Sequence, residues 1–142
     1  MNKVIYLCGP IHDCTEDEIV EWRQYVRTQV SYLHTVSVLD PTDRDFRTYD
    51  VLTDKEYKEI VELDKIDVAL CDILFVNFNK AMARRASVGS SMEMLYAWEK
   101  GKHIIVANTA GVELSPWVHY HSHSLVDTLD AAIEEVFRLV KD

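Results

Sequence analysis

The chain is expected to fold as an α/β domain, a single doubly wound parallel sheet of about five strands flanked by helices. Three observations predict this. Short β-branched or aromatic runs alternate with amphipathic segments from end to end. The first two strands stop at strong turn signals, Gly9-Pro10 and Asp40-Pro41. Two of the intervening helices open on a capping box, Thr15 with Glu18 and Thr53 with Glu56.

Taken in order, Val4–Cys8 reads as a buried first strand, and the helix after Thr15 carries Ile19, Trp22, Val26, Val30 and Leu33 at helical spacing. Val36–Leu39 is a second strand. Residues 42–52 are polar and aperiodic, and read as a loop. A second helix follows Thr53 to about Leu70, with Tyr57, Ile60, Val61, Leu63, Val68 and Cys71 expected toward the core. Ile73–Val76, nearly all apolar, reads as a central third strand. Residues 77–86 read as a loop with Arg84-Arg85 near its end. Ser87–Lys100 is a helix ended by Gly101, and His103–Val106 a fourth strand. Trp117–Tyr120 is read as a short fifth strand, and residues 127–141 as an amphipathic closing helix. The β-α order without internal repeats gives a flavodoxin- or Rossmann-like topology. In such sheets ligands bind outside the carboxyl ends of the strands, here the loops after Cys8, Leu39, Val76 and Val106.

A chain of 142 residues with 48% apolar and 27% charged side chains is read as one domain, 1–142, able to bury a core without staples. A net charge of −9 argues against nucleic acid or an acidic membrane as partner. Cys8, Cys14 and Cys71 are odd in number and lack CxxC spacing, as expected of a reduced, cytoplasmic protein. No signal peptide is read at the N-terminus, and no apolar run approaches the roughly 18 residues of a membrane helix.

Three segments at or near the strand ends carry polar chemistry. In Tyr6-Leu7-Cys8-Gly9-Pro10, Gly9 permits a close approach of backbone to ligand, and a plain tight turn is the competing account. On the second helix, Asp64 and Asp67 lie three apart on one flank; the residues alone read Asp67 as solvated face, and Asp72 as strand entry. In Ser87-Val88-Gly89-Ser90-Ser91-Met92-Glu93, a loop opens a helix with hydroxyls and free N–H groups, an arrangement suited to an anion or a polyol. Glu93 sits inside that helix among Met92, Met94 and Leu95, as either a satisfied surface acid or a functional one.

These residues resemble the nucleoside 2-deoxyribosyltransferase superfamily, which includes deoxynucleoside 5′-monophosphate N-glycosidases. The match runs from Tyr6-Leu7-Cys8-Gly9-Pro10 to the closing helix. Its specific parts are Ser87-Val88-Gly89, Glu93 and Tyr96-Ala97, and Asp64 placed ahead of Cys71-Asp72. The resemblance implies a double displacement in which Glu93 attacks C1′ of a 2′-deoxyribosyl donor. Asp64 would carry the proton to and from the base, a task that calls for burial or a neighbouring carboxylate. Tyr6 would orient Glu93; Gly9, Pro10, Ser87, Gly89 and Asp67 would form the substrate-binding set. Ser87 stands where nucleoside transferases often carry aspartate, and a serine there is the feature of relatives that accept a 5′-phosphate; Arg84-Arg85 would add charge there. No cofactor or metal is implied. The partners implied are a nucleoside or nucleotide, a nucleobase, and further copies of the chain in a homo-oligomer with shared sites. Trp117, His119 and His121 are the residues that suggest themselves for a neighbour's contribution.

Overall fold

The computed structural model describes residues 2–44, 53–84 and 87–141. Five parallel strands form one sheet in the order β2-β1-β3-β4-β5: β1 Lys3–Cys8, β2 Val36–Leu39, β3 Ile73–Asn77, β4 His103–Ala107 and β5 Ser124–Val126. The helices are α1 Glu16–Val30, α2 Asp54–Leu70, α3 Lys80–Arg84, α4 Val88–Glu99, α5 Pro116–Tyr120 and α6 Leu129–Val140. The doubly wound α/β class expected from the sequence is therefore the one found.

Strand periodicity divides the core into two layers. Ile5, Leu7, Ile73, Phe75, Ile105 and Ala107 face α1 and α6, where they meet Trp22, Val26, Val30, Ala132, Ile133 and Val136. Tyr6, Cys8, Leu74, Val76, Ile104 and Val106 face the other way, toward Val68 of α2 and Met94 and Ala97 of α4. Each fully buried aliphatic side chain contributes roughly 1.5–3 kcal/mol. The layering also aims alternate residues of β1 at α2 and α4, the two helices that carry the candidate acids.

Both capping boxes are present, at Thr15–Glu18 and Thr53–Glu56. Asp72 has the strand-entry duty: its Oδ2 accepts from the Val4 amide at 2.8 Å, and its own amide donates to Val4 O at 2.7 Å. Gly101 follows α4 with φ +73, the left-handed C′ geometry that glycine suits.

Four expectations are corrected. Residues 117–120 are helical, and the fifth strand is Ser124–Val126. Ser115 caps α5 through the Trp117 amide and Pro116 occupies its first position, start signals that outweigh the β-propensity of Trp, Val and Tyr. The segment after β3 is not all loop, since α3 occupies Lys80–Arg84 with the Asn79 side chain accepting from the Met82 amide at 3.0 Å. On α2 only Val68 is fully buried, while Tyr57, Val61 and Leu63 are exposed; α2 is apolar on more than the stripe that meets the sheet. In the segment after β2, Pro41–Asp43 forms a 3₁₀ turn capped by Asp40; residues 45–52 lie outside the described residues, as do Arg85 and Ala86.

No helix among the described residues is long and apolar enough to cross a membrane.

Candidate active site

The strand order reverses at β1, whose two neighbours, β2 and β3, are reached by connections on opposite faces of the sheet. A cleft of about 630 Å³ opens at the carboxyl end of this switch point. Its lining includes Tyr6, Gly9, Pro10, Asp64, Ser87, Gly89 and Glu93. Seven of the eight candidates chosen from the sequence thus share one cavity, brought in by β1, α2 and α4.

At its centre, the Tyr6 hydroxyl donates to Glu93 Oε2. Two residues along the same face of β1, the Cys8 thiol lies 3.6 Å from Glu93 Oε1 and 3.8 Å from Ser90 O. One strand therefore presents a donor to each oxygen of the carboxylate. Burial, then the charges of Glu93 and Asp64, push the Tyr6 phenol far above its ordinary value. Burial and Glu93 do the same to the Cys8 thiol. Both groups stay protonated across the physiological range, and so remain donors.

Asp64 lines the cleft from α2. Arg44, just past the 3₁₀ turn, pairs with Asp64 Oδ1 and places Nε 3.2 Å from Asp67 Oδ2. Asp67 is thus not a solvated acid, because its side chain is only 15% exposed and shares Arg44 with Asp64. It is not among the described residues that line the cleft.

Ser87 is the N-cap of α4. Its hydroxyl accepts from the Ser90 amide at 3.2 Å and lies 2.9 Å from Ser90 Oγ. Gly89, one position inside the helix, has nothing within 4 Å of where a Cβ would stand. No packing demand keeps it glycine, and its bare backbone borders the cleft. Gly9 is different. A Cβ there would come 2.6 Å from Trp22 Cζ2, so the close approach it permits is that of an indole from behind. Arg84, expected on a loop, sits on α3 at the cleft's edge and pairs with Glu18 at 3.2 Å.

Sequence reasoning missed the Cys8 contact, the Arg44 clamp and the rim Ile11-His12-Asp13-Cys14. The signal for the rim was its place directly after the first strand. Trp117 and His121 lie instead on a second cavity of about 690 Å³ against α4, which shares Ser87 with the first. Their rings stack in parallel at 5.9 Å.

The family described as nucleoside 2-deoxyribosyltransferase like matches residues 2–110, which include Tyr6, Asp64 and Glu93. The chain belongs to that family. No curated protein matches it in sequence. Among solved structures it is similar to a conserved protein from Enterococcus faecalis V583 (TM-score 0.75, 15% identity, covering 99% of this chain and 100% of that one). It is similar also to a 2-deoxyribosyltransferase from Bacillus psychrosaccharolyticus (TM-score 0.72, 14% identity, covering 94% and 89%). A third is a CMP N-glycosidase from Clostridium botulinum (TM-score 0.61, 13% identity, covering 94% and 98%). At these identities the likeness is one of fold.

Proposed function

We propose that the protein transfers a 2-deoxyribosyl group between nucleobases by retaining double displacement. The observation that carries this reading is Glu93, held on both oxygens by Tyr6 and Cys8 in a cleft that also contains Asp64. In the first step a Glu93 oxygen bonds to C1′ as the N-glycosidic bond breaks. The electron pair leaves with the base, and Asp64, protonated on the oxygen that Arg44 does not hold, gives the departing nitrogen that proton. In the second step an acceptor base attacks C1′, Asp64 recovers a proton from it, and Glu93 is released. A fixed carboxylate suits the oxocarbenium-like charge of both transition states. Two donors preset its direction, so little reorganisation is needed at the moment of attack. Gly89 would let the sugar approach the α4 backbone, and Ser87 would meet its 5′ end.

A second reading, hydrolysis of nucleoside 5′-monophosphates, is favoured by one observation. Arg84 and the N-terminus of α4 border the same cleft, as a phosphate would require. Family membership and the two enzymes of similar fold support both readings. The homo-oligomer is also proposed, on the exposed stripe Val88, Met92 and Leu95 of α4 and the exposed Tyr57, Val61, Ile66 and Leu70 of α2. Sedimentation of the purified chain tests it.

The deciding assay incubates the protein with deoxyinosine plus adenine, and separately with deoxynucleoside monophosphates, and separates the products. Deoxyadenosine and hypoxanthine are expected from the first mixture, and none from Glu93→Ala. Free base and sugar phosphate from the second alone would install the hydrolytic reading. No product from either would overturn both.

A further inference from the structure

Arg23 is 1% exposed although it belongs to a surface helix. Its Nη1 donates to Ile19 O at 2.8 Å and its Nη2 to Gly9 O at 3.1 Å, and Nε stands 3.5 Å from Asp40 Oδ1. The guanidinium also lies over the Trp22 ring, 4.6 Å from its centroid. A buried cation costs several kcal/mol unless it is paired, so its partners indicate what it is for. Gly9 and Asp40 are the residues that directly follow β1 and β2. Asp40 in turn caps the 3₁₀ turn through the Thr42 amide at 2.9 Å. That turn supplies Pro41 to the cleft and leads into Arg44, the partner of Asp64. One side chain thereby ties the Gly9–Pro10 wall to the segment that holds Asp64. Burial works against the Arg23 cation, and the carboxylates of Asp40 first and Glu93 after it favour it, so its charge also reaches the Glu93 cluster.

We propose that Arg23 is a positioning residue for the glycosyl site, fixing the Gly9–Pro10 wall and the Asp40 turn and offsetting the charge of Glu93 from beneath. The proposal rests on the N-glycosyl reading of that cleft. Among the described residues, Glu93 is faced by Tyr6 and Cys8 from β1, Arg23 from α1 and Asp64 from α2 with Arg44 paired to it, with His12, Asp13, Cys14 and Arg84 at the rim. Arg23 is the cation of this set that is enclosed in the core, where solvent does not screen it.

The test measures kcat and KM across pH for wild type, Arg23→Lys, and Arg23→Met combined with Asp40→Asn. The double variant removes the pair together, so no buried charge is left unpaired, and asparagine retains the cap. Loss of the cation disfavours the Glu93 carboxylate. The acid limb of kcat/KM should therefore move up by about one pH unit, and kcat should fall by about tenfold or more. Lysine keeps the charge and loses the planar fork. Its acid limb should stay in place while kcat drops several-fold. Wild-type turnover with an unmoved limb in a folded double variant would overturn this proposal alone. If the double variant does not fold, Arg23→Lys decides: wild-type kcat overturns the proposal, and a lowered kcat with a fixed limb supports it. Absence of wild-type turnover would overturn the N-glycosyl reading and this proposal with it.

Discussion

The Tyr6 hydroxyl of β1 donates to Glu93 Oε2 of α4, joining residues 87 positions apart. Tyr6 is 1% exposed and packs with Leu74, Val76 and Met94, so the donor is not free to swing away. The same contact fixes where the carboxylate points, while burial first and the charge of Glu93 second keep the phenol protonated.

Tyr6→Phe should leave the packing of β1 intact while removing that donor. A hydrogen bond to a charged group is worth about 1.5–3 kcal/mol, so kcat should fall by about ten- to a hundredfold, with KM changed less. The alkaline stability of the fold should change as well. The folded-state pKa of Tyr6 is raised, so its contribution is fully present below the ordinary value of 10.0 and is lost as pH rises above it. Urea titrations between pH 8 and 11 should show a shallower alkaline loss in Tyr6→Phe. Identical alkaline slopes would contradict the buried, neutral phenol.

Gly9→Ala places a methyl 2.6 Å from Trp22 Cζ2. The indole is stacked on Phe75 at 6.4 Å, and cannot retreat without disturbing the core. Overpacking of this kind costs about 1–3 kcal/mol. Denaturant midpoints should fall accordingly, and Trp22→Phe should restore part of the loss by giving the methyl room. A Gly9→Ala variant as stable as wild type would show that the Trp22 contact is slack.

Asp64→Asn separates proton transfer from positioning. Adenine leaves poorly unless protonated, and positioned acid catalysis is worth about 10²–10⁴-fold. The variant should lose about that much on deoxyadenosine and only a few-fold on a nitrophenyl-type donor, whose leaving group departs unprotonated. Equal losses on both would leave Asp64 a positioning residue. Arg44, which occupies Asp64 Oδ1, makes a companion case: Arg44→Met should alter the pH dependence of the adenine reaction more than its KM.

The parts of the fold set by local chemistry were legible in the residues. Thr15–Glu18 and Thr53–Glu56 announce their helices because a capping box is a contact within four residues. Tyr6, Asp64 and Glu93 were found through a resemblance, since their meeting depends on the β1–β3 register and on the packing of α2 beside α4. The residues that escaped notice act over long separations. Arg44 reads as one more polar residue in a polar stretch, and its role appears only when Asp64 arrives from α2. Arg23 did carry a signal. It lies four residues after Ile19, three before Val26 and seven before Val30, on the apolar stripe of α1. A charged residue on a buried stripe has to be paired, a requirement already present in the residues themselves. For Asp67 the residues alone suggested a solvated face, and its Arg44 partner, likewise distant in sequence, leaves the side chain only 15% exposed.

Ser87 decides between the nucleoside and nucleotide readings, and its position makes the test a clean one. Ser87 caps α4, and aspartate is as good an N-cap as serine. Ser87→Asp should therefore preserve the helix start, and its added charge sits favourably at the positive helix end. Any change in substrate choice then reports electrostatics at the 5′ end of the sugar. Among the described residues Asp13, Asp64 and Glu93 line the cleft, Asp64 being paired with Arg44, and the one described arginine on the lining, Arg84, is already paired with Glu18. A dianionic phosphate meets net repulsion in that field, whereas a 5′-hydroxyl does not. Wild type should accordingly prefer deoxynucleosides over their monophosphates by about tenfold in kcat/KM, a difference of about 1.4 kcal/mol. Ser87→Asp should hold nucleoside turnover within a few-fold and suppress monophosphates further. The opposite pattern, a monophosphate preference in wild type that the aspartate erases, would mean that the α4 N-terminus and Arg84 hold a phosphate. The protein would then be a nucleotide N-glycosidase.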